Sequence, residues 1–212
     1  MFKIWLQQRL LNPLPGVKAH ETIWSYPRNS FEEGLNAQPP ARLSSVNILI
    51  QPSQNEWESL FILRSDFGIH GGQVAFPGGK IDAEESKLAC AQRETLEEIG
   101  VDSNQYQTIG ELSPVYIPPS NMIVFPHISF CASELNLTIN KDEIAESFWV
   151  PFSSILPEKI ILKNHFLKAF DTERTIRGIA IGDHFLWGAS AMISQELMHL
   201  WMEFQNEMNE AL

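Results

Sequence analysis

The chain is poor in cysteine: among its 212 residues only Cys90 and Cys131 occur. Neither belongs to a CxxC pair, and their wide separation argues against a zinc site or a disulfide framework, so we expect two buried free thiols. Long apolar runs are also missing, since none approaches the roughly 18 residues of a membrane-spanning helix. Residues 1–11 lack the apolar core and cleavage site of a signal peptide. These absences predict a reduced, cytoplasmic protein with no membrane partner.

Positive charge is scarce as well. Lysine and arginine number 15 against 26 aspartates and glutamates, which gives a formal net charge of −11. Because such a chain repels nucleic acids and anionic membranes, neither is an expected partner. An anionic small molecule has to be bound by local cations or by a metal ion. The hydrophobic content of 44% is enough for a substantial core.

One segment, residues 76–101, reads FPGGKIDAEESKLACAQRETLEEIGV. No glycine or proline interrupts residues 84–99, and helix-forming residues dominate them, so the segment predicts a helix. At about 100° per residue, its glutamates at 94, 97 and 98 fall within one arc. We expect the opposite arc, with Leu88, Leu96 and Ile99, to face the core. The pattern is G-x5-E-x7-R-E-T-x-E-E-x-G-V, carried by Gly79, Glu85, Arg93, Glu94, Glu97, Glu98 and Gly100.

Carboxylates on one arc repel each other unless a cation neutralises them. Mg²⁺ or Mn²⁺ prefers oxygen ligands and keeps positions open for water and phosphate. We therefore predict Glu94, Glu97 and Glu98 as metal ligands, with the main-chain carbonyl of Gly79 as a further ligand. A solvated helix face is the alternative for glutamates alone. We expect Arg93 to pair with Glu85 or a ligand carboxylate, the alternative being a surface arginine.

The pattern resembles the signature of the Nudix hydrolases, which cleave nucleoside diphosphates linked to another moiety. The flanking segments at 60–80, 116–121 and 185–193 (LFILRSDFGIHGGQVAFPGGK, YIPPSN and FLWGASAMI) are similar to the coenzyme A pyrophosphatase branch. One departure is Gly68, which stands where that branch commonly has an arginine, four residues before Gly72.

The resemblance implies an α/β fold, an α/β/α sandwich with a mixed β-sheet and extra N-terminal and C-terminal helices. It also implies Mg²⁺- or Mn²⁺-dependent hydrolysis of the phosphoanhydride of coenzyme A or acyl-CoA, giving 3′,5′-ADP and 4′-phosphopantetheine products. The alternatives are the same chemistry on another nucleotide, such as ADP-ribose or NADH, and a non-catalytic binding module of this fold.

The flanks supply candidates for substrate binding. Hydrogen-bond donors near the pattern are Arg64, His70, Gln73 and Lys80, and a surface or structural role is the alternative for each. The YIPPSN segment offers Tyr116, Ser120 and Asn121 for a substrate mouth, or else a tight connection between two strands.

Nudix enzymes often recruit a carboxylate outside the pattern as a general base. We predict Glu143 in this role, either as the base or as an extra metal ligand, although it could be an exposed loop glutamate. Glu97 is the other candidate for positioning water. The predicted catalytic set is therefore Arg93, Glu97, Glu98 and Glu143.

We interpret residues 1–43 as a helix (2–11) and an irregular arm of the same domain, and residues 44–212 as the hydrolase domain. Trp5, Leu6, Leu10, Trp201 and Phe204 favour a symmetric homodimer, unless the terminal segments fold back over their own sheet. The other predicted elements are strands at 44–50, 59–64, 74–76, 105–115, 122–131, 134–139 and 147–152, a hairpin at 174–187 and a helix at 187–208.

Overall fold

The computed structural model describes residues 1–25, 30–54, 56–66, 70–131, 133–168 and 171–210. The helices in this part of the chain are α1 (Phe2–Arg9), α2 (Val17–His20), α3 (Phe31–Leu35), α4 (Lys87–Ile99) and α5 (Gly188–Glu210). The strands are β1 (Arg42–Pro52), β2 (Trp57–Arg64), β3 (Val74–Ala75), β4 (Gly78–Lys80), β5 (Tyr106–Glu111), β6 (Val115–Ile117), β7 (Met122–Cys131), β8 (Ile144–Pro151), β9 (Ile160–Leu167), β10 (Thr172–Ile181) and β11 (His184–Trp187).

The main sheet has eight strands and is mixed. Its path is β3–β2–β1–β7–β5, with β4 paired to β1, β6 to β7 and β8 to β2. Strand β1 runs parallel to β7 and antiparallel to β2 and β4. Strands β9, β10 and β11 form a second, antiparallel sheet. Strands β1 and β2 are joined as a hairpin, and the predicted hairpin at 174–187 is present as β10 and β11.

Both faces of the main sheet are covered, which explains the continuous apolar run in β1. Ile48 and Ile50 belong to one buried cluster, which includes residues of α1 and α5. Leu49, between them, points to the other face and belongs to the cluster that contains Ile99 of α4. The sheet therefore lies between α4 and the terminal helices, and the predicted α/β class is confirmed.

Helix α4 starts after Ser86, whose hydroxyl accepts a hydrogen bond from the amide of Ala89, and stops at Gly100, which adopts a φ of 71°. The predicted core face was wrong in part, because the side chains of Leu88 and Leu96 are 36% and 48% exposed. Small residues face the sheet instead, so the helix lies close to β1. The buried residues of α4 are Cys90, Ala91, Thr95, Glu98 and Ile99.

Two strand assignments differ from the sequence prediction. Residues 134–139 form no strand; there the amide of Thr138 donates to the carbonyl of Ile99, and the amide of Asn140 to that of Glu98. The segment thus satisfies carbonyls at the end of α4 that have no partner within the helix. Strand β9 was missed because five of its eight residues are exposed and their side chains show no alternation of apolar and polar types.

The terminal helices fold back over the chain's own sheet. Phe2 and Leu6 are buried, and the rings of Phe2 and Trp201 meet edge to face with centroids 4.9 Å apart. The indole of Trp5 donates to Glu207 over 2.7 Å. The apolar surface that favoured a homodimer is thus covered within one chain, and a homodimer stays a prediction without that support. No helix in the described ranges is long and apolar enough to cross a membrane.

The arm between α1 and β1 is anchored by a buried carboxylate of α5. Glu196 accepts hydrogen bonds from the amide of Gly16 over 2.8 Å and from the hydroxyl of Ser113 over 2.7 Å. The ring of His20 lies 3.2 Å from the other carboxylate oxygen. Although burial of Glu196 opposes ionisation, these partners keep the pKa of its carboxyl below the ordinary value.

Candidate active site

Helix α4 presents three carboxylates at positions i, i+3 and i+4, and they differ in burial. The side chain of Glu98 is 1% exposed, that of Glu94 14% and that of Glu97 53%. The helix geometry places them side by side. The group therefore runs from the interior of the protein to the solvent.

Glu98 lies at the buried end of this group. One carboxylate oxygen accepts a hydrogen bond from the amide of Gly78 over 2.9 Å, and the other lies 3.3 Å from Nη1 of Arg64. Burial is the main cause that raises the pKa of Glu98 to about 8. The charges of Glu94 and Glu143 raise it further, against the effects of Gly78 and Arg64. Burial and the neighbouring carboxylates thus disfavour the charged form of Glu98 unless a cation lies near it.

Arg93 joins the carboxylates to the preceding loop. Its guanidinium pairs with both oxygens of Glu85, over 2.9 and 3.0 Å, and lowers the pKa of that residue. Its Nη1 also donates to Glu94 over 2.8 Å and to Glu97 over 3.0 Å, and its Nη2 donates to the carbonyl of Lys80 over 3.1 Å. Arg93 therefore contacts Glu85 and two of the predicted ligands at once, and fixes their orientation.

The glycines of β4 let the backbone approach this group. A side chain at Gly79 would overlap the carboxylate of Glu94, and one at Gly78 would overlap the backbone of β1 at Val46. The Gly79 carbonyl, the predicted main-chain ligand, accepts a hydrogen bond from the Cys90 thiol at 3.5 Å. Burial raises the pKa of that thiol to about 12, so it stays protonated.

The donor chemistry fits a hard divalent cation. Within the described residues, no three acidic, histidine or cysteine side chains are already drawn together as a metal site; Glu94 and Glu97 are hydrogen-bonded to Arg93. The carboxylates nevertheless repel each other: Glu97 adds to the burial that raises the pKa of Glu94, and Glu94 acts likewise on Glu98. A cation at their centre would relieve this repulsion, and oxygen donors are what Mg²⁺ and Mn²⁺ take.

Glu143 reaches the same region from a loop. Its backbone carbonyl accepts a hydrogen bond from the amide of Ser65, next to the end of β2. Its exposed carboxylate accepts a hydrogen bond from the side-chain amide of Asn140 over 3.4 Å. Its charge contributes to the raised pKa of both Glu94 and Glu98. The pairing of β2 with β8 thus brings Glu143 beside the carboxylates of α4.

A cavity of about 480 Å³ adjoins the carboxylates. Four predicted substrate-binding residues line it: Arg64, His70, Gln73 and Lys80. Gly68 lies outside the described residues. Apolar residues line it as well, among them Val46, Val74, Ile117, Met122, Val124, Leu167, Trp187 and Ile193. The cavity therefore offers both cations and apolar surface next to the carboxylates.

Tyr116, Ser120 and Asn121 are not brought into this cavity. The hydroxyl of Tyr116 donates to the side chain of Asn121 over 3.0 Å, and Asn121 in turn donates to the carbonyl of Pro39. Ser120 is buried. These side chains stabilise the tight connection between β6 and β7, which was the alternative interpretation. From the same segment, the neighbours Ile117 and Pro119 line the cavity instead.

Sequence reasoning missed several lining residues. Arg42 and Ser44 share one face of β1 with Val46, and a period of two along the predicted strand could have identified them. Trp187 and Ser190 lie where β11 passes into α5, and they carry no local signal of a cavity. Their position follows from the packing of β11 against β3 and of α5 against β6.

The similarity to known proteins covers both the main sheet and α4, the helix that carries the three carboxylates. A family model described as the NUDIX domain matches residues 41–170, more than half of the chain. Human mitochondrial coenzyme A diphosphatase NUDT8 is 32% identical over 174 residues, or 79% of this chain and 73% of that protein. The uncharacterized Nudix hydrolase NudL of Photorhabdus laumondii is 30% identical over 168 residues, or 75% of this chain and 88% of NudL. A MutT/nudix family protein from Enterococcus faecalis, 18% identical, superposes with a TM-score of 0.55 over 82% of this chain and 70% of that one.

Proposed function

This chain belongs to the NUDIX family of pyrophosphohydrolases, and from that premise we propose that it hydrolyses the phosphoanhydride of coenzyme A or an acyl-coenzyme A. The products would be 3′,5′-ADP and 4′-phosphopantetheine or its acylated form. The similarity to a named coenzyme A diphosphatase supports this substrate. A cytoplasmic location and a homodimer are further proposals from the sequence.

The observation that carries the proposal is the cavity beside the carboxylates, which is lined by both cations and apolar side chains. Coenzyme A combines a diphosphate and a 3′-phosphate with a long pantetheine arm. Arg64 and Lys80 provide positive charge for phosphate oxygens. Apolar lining residues such as Trp187 and Ile193 suit the arm and any acyl chain attached to it.

Glu94, Glu97 and Glu98, with the Gly79 carbonyl, would hold a Mg²⁺ or Mn²⁺ ion. When bound, such an ion offsets phosphate charge and lowers the pKa of water. Arg93 does not reach the substrate; it acts as a positioning residue by holding Glu94 and Glu97 against the loop at Lys80.

In the reaction, a water oxygen forms a bond to one phosphorus while the bond from that phosphorus to the bridging oxygen breaks. The bridging oxygen leaves with its electron pair as part of the second phosphate monoester. We assign Glu143 as the group that accepts the proton of the water, with Glu97 as the alternative acceptor. Arg64 and Lys80 bind non-bridging oxygens and hold the diphosphate in line for attack.

Product analysis tests this proposal. The purified protein is incubated with coenzyme A, ADP-ribose or NADH, with and without Mn²⁺, and the products are separated by chromatography. We expect 3′,5′-ADP from coenzyme A only when Mn²⁺ is present. Rapid hydrolysis of ADP-ribose or NADH with coenzyme A left intact would refute the substrate and keep the hydrolase. No hydrolysis of any compound would favour a binding module.

A further inference from the structure

Two cations lie next to each other at one end of the cavity. Ser44 of β1 and Lys80 of β4 are direct partners in the antiparallel pair. Arg42 comes two residues before Ser44 and lines the cavity with both of them. Diagonal neighbours of this kind lie roughly 7–8 Å apart. The side chains of Arg42 and Lys80 can therefore contact one small anion together.

Neither cation is paired with a carboxylate in the described part of the chain. The guanidinium of Arg42 donates to the main-chain carbonyl of Ser120 over 2.9 Å, which orients it without cancelling its charge. The ammonium of Lys80 forms no hydrogen bond or ion pair within the same residues. Two uncompensated cations that line one cavity indicate an anionic ligand.

Arg42 lies farther from the carboxylates than Arg64 and Lys80 do. Gly78, which donates to Glu98, is the partner of Val46 in the β1–β4 pair, and Arg42 lies four residues before Val46. At about 3.3 Å per residue, this places Arg42 roughly 13 Å along the strand from that point. Arg64 is already paired with Glu98. Arg42 thus lies away from the carboxylates, and Lys80, which follows Gly79 in β4, lies between Arg42 and the carboxylates.

We propose that Arg42 and Lys80 form a binding site for a second phosphate group, separate from the diphosphate that is cleaved. The inference rests on the proposed function, in which the group bound is the 3′-phosphate of coenzyme A. That phosphate and the diphosphate are attached to different carbons of one ribose. In the proposed arrangement, Lys80 lies between the two phosphate groups, and Arg42 contacts only the 3′-phosphate. Arg42 is then a specificity-determining residue, because it distinguishes coenzyme A from its 3′-dephospho form.

The test compares kcat/KM for coenzyme A and for 3′-dephospho-coenzyme A, in the presence of Mn²⁺. A hydrogen bond between charged groups is lost in Arg42→Gln, so we expect the preference for coenzyme A to fall roughly tenfold or more. Arg42→Lys should restore part of the preference. Arg174→Gln removes the same charge outside the cavity and should keep the wild-type ratio. Circular dichroism confirms that each variant is folded.

Calorimetry with adenosine 3′,5′-bisphosphate and with 5′-AMP separates this inference from the proposed function. We expect the bisphosphate to bind more tightly to the wild type, and Arg42→Gln to abolish the difference. If coenzyme A is not hydrolysed but this difference persists, the site stands and the proposed function fails. A wild type that does not distinguish the two ligands, or a ratio unchanged in Arg42→Gln, overturns the site.

Discussion

Substitution of Glu98 by glutamine tests two effects of this carboxyl, one on turnover and one on the stability of the folded protein. The change removes a charge and nearly preserves shape, and the side-chain oxygen can still accept the hydrogen bond from Gly78. If Glu98 is a metal ligand, turnover should fall by roughly two to four orders of magnitude, which corresponds to about 3–5 kcal/mol of transition-state stabilisation.

The same variant should change how stability depends on pH. The pKa of Glu98 is raised to about 8 in the folded protein by burial, so its contribution to stability is fully present below the ordinary value and lost as the pH rises through 8. At 1.36 kcal/mol per pH unit, the metal-free wild type should lose on the order of 2 kcal/mol between pH 6 and pH 9 because of this group. Glutamine does not titrate, so Glu98→Gln should lack this loss.

Urea unfolding in the presence of a chelator, at pH 6 and at pH 9, measures the difference. Glu158→Gln makes the same chemical change on an exposed side chain and serves as the control. Equal pH dependence of unfolding in wild type and Glu98→Gln would show that Glu98 does not carry the buried proton. Near wild-type turnover would remove its catalytic role.

Four further predictions follow from other contacts. Gly79→Ala places a methyl group on the Glu94 carboxylate, so Mn²⁺ binding measured by calorimetry should weaken at least tenfold; unchanged affinity would contradict the contact. Phe2→Ala empties a buried site between α1 and α5 and should cost about 3 kcal/mol of unfolding free energy in urea. Because the pKa of Glu196 is lowered in the folded protein, its carboxylate stabilises the fold above pH 4.5, and this stabilisation is lost as the pH falls. The melting temperature of Glu196→Gln should therefore lie well below that of the wild type at pH 7, with a smaller difference at pH 4. Light scattering tests the homodimer, since a mass near 24.1 kDa would retire it.

Spacing alone located the carboxylate group, because a helix converts offsets of three and four into neighbouring side chains. The core face of the same helix was wrong for a related reason. The carboxylates were assigned to one arc of the helix and the leucines to an opposite arc facing the core, whereas Glu98 is itself buried against β4 and Leu96 is exposed. A buried carboxylate thus occupies a position that apolar periodicity would give to a hydrophobic residue.

Residues whose place in the cavity depends on long-range packing could not be predicted from the sequence. Trp187 reaches the cavity because β11, which it ends, lies against β3 of the main sheet. The YIPPSN segment carries a turn signal, but which of its side chains point inward depends on the register of β6 against β7, where Tyr116 is the partner of Ile123. Glu143 could be proposed from its type, and only the pairing of β2 with β8 shows that it comes near the carboxylates.

The contact between α1 and α5 also affects when, during synthesis, these parts of the protein can pack together. The hydrogen bond from Trp5 to Glu207 joins residues 202 positions apart. While the chain is being made, Phe2 can meet Trp57 and Phe130 early, but its contacts with Trp201 and Phe204 have to wait until α5 has left the ribosome. The part of the cavity formed by Ala189 and Ile193 is missing for the same period. Because contacts so distant in sequence form slowly, α1 is fully covered, and the cavity completed, only after α5 has been made.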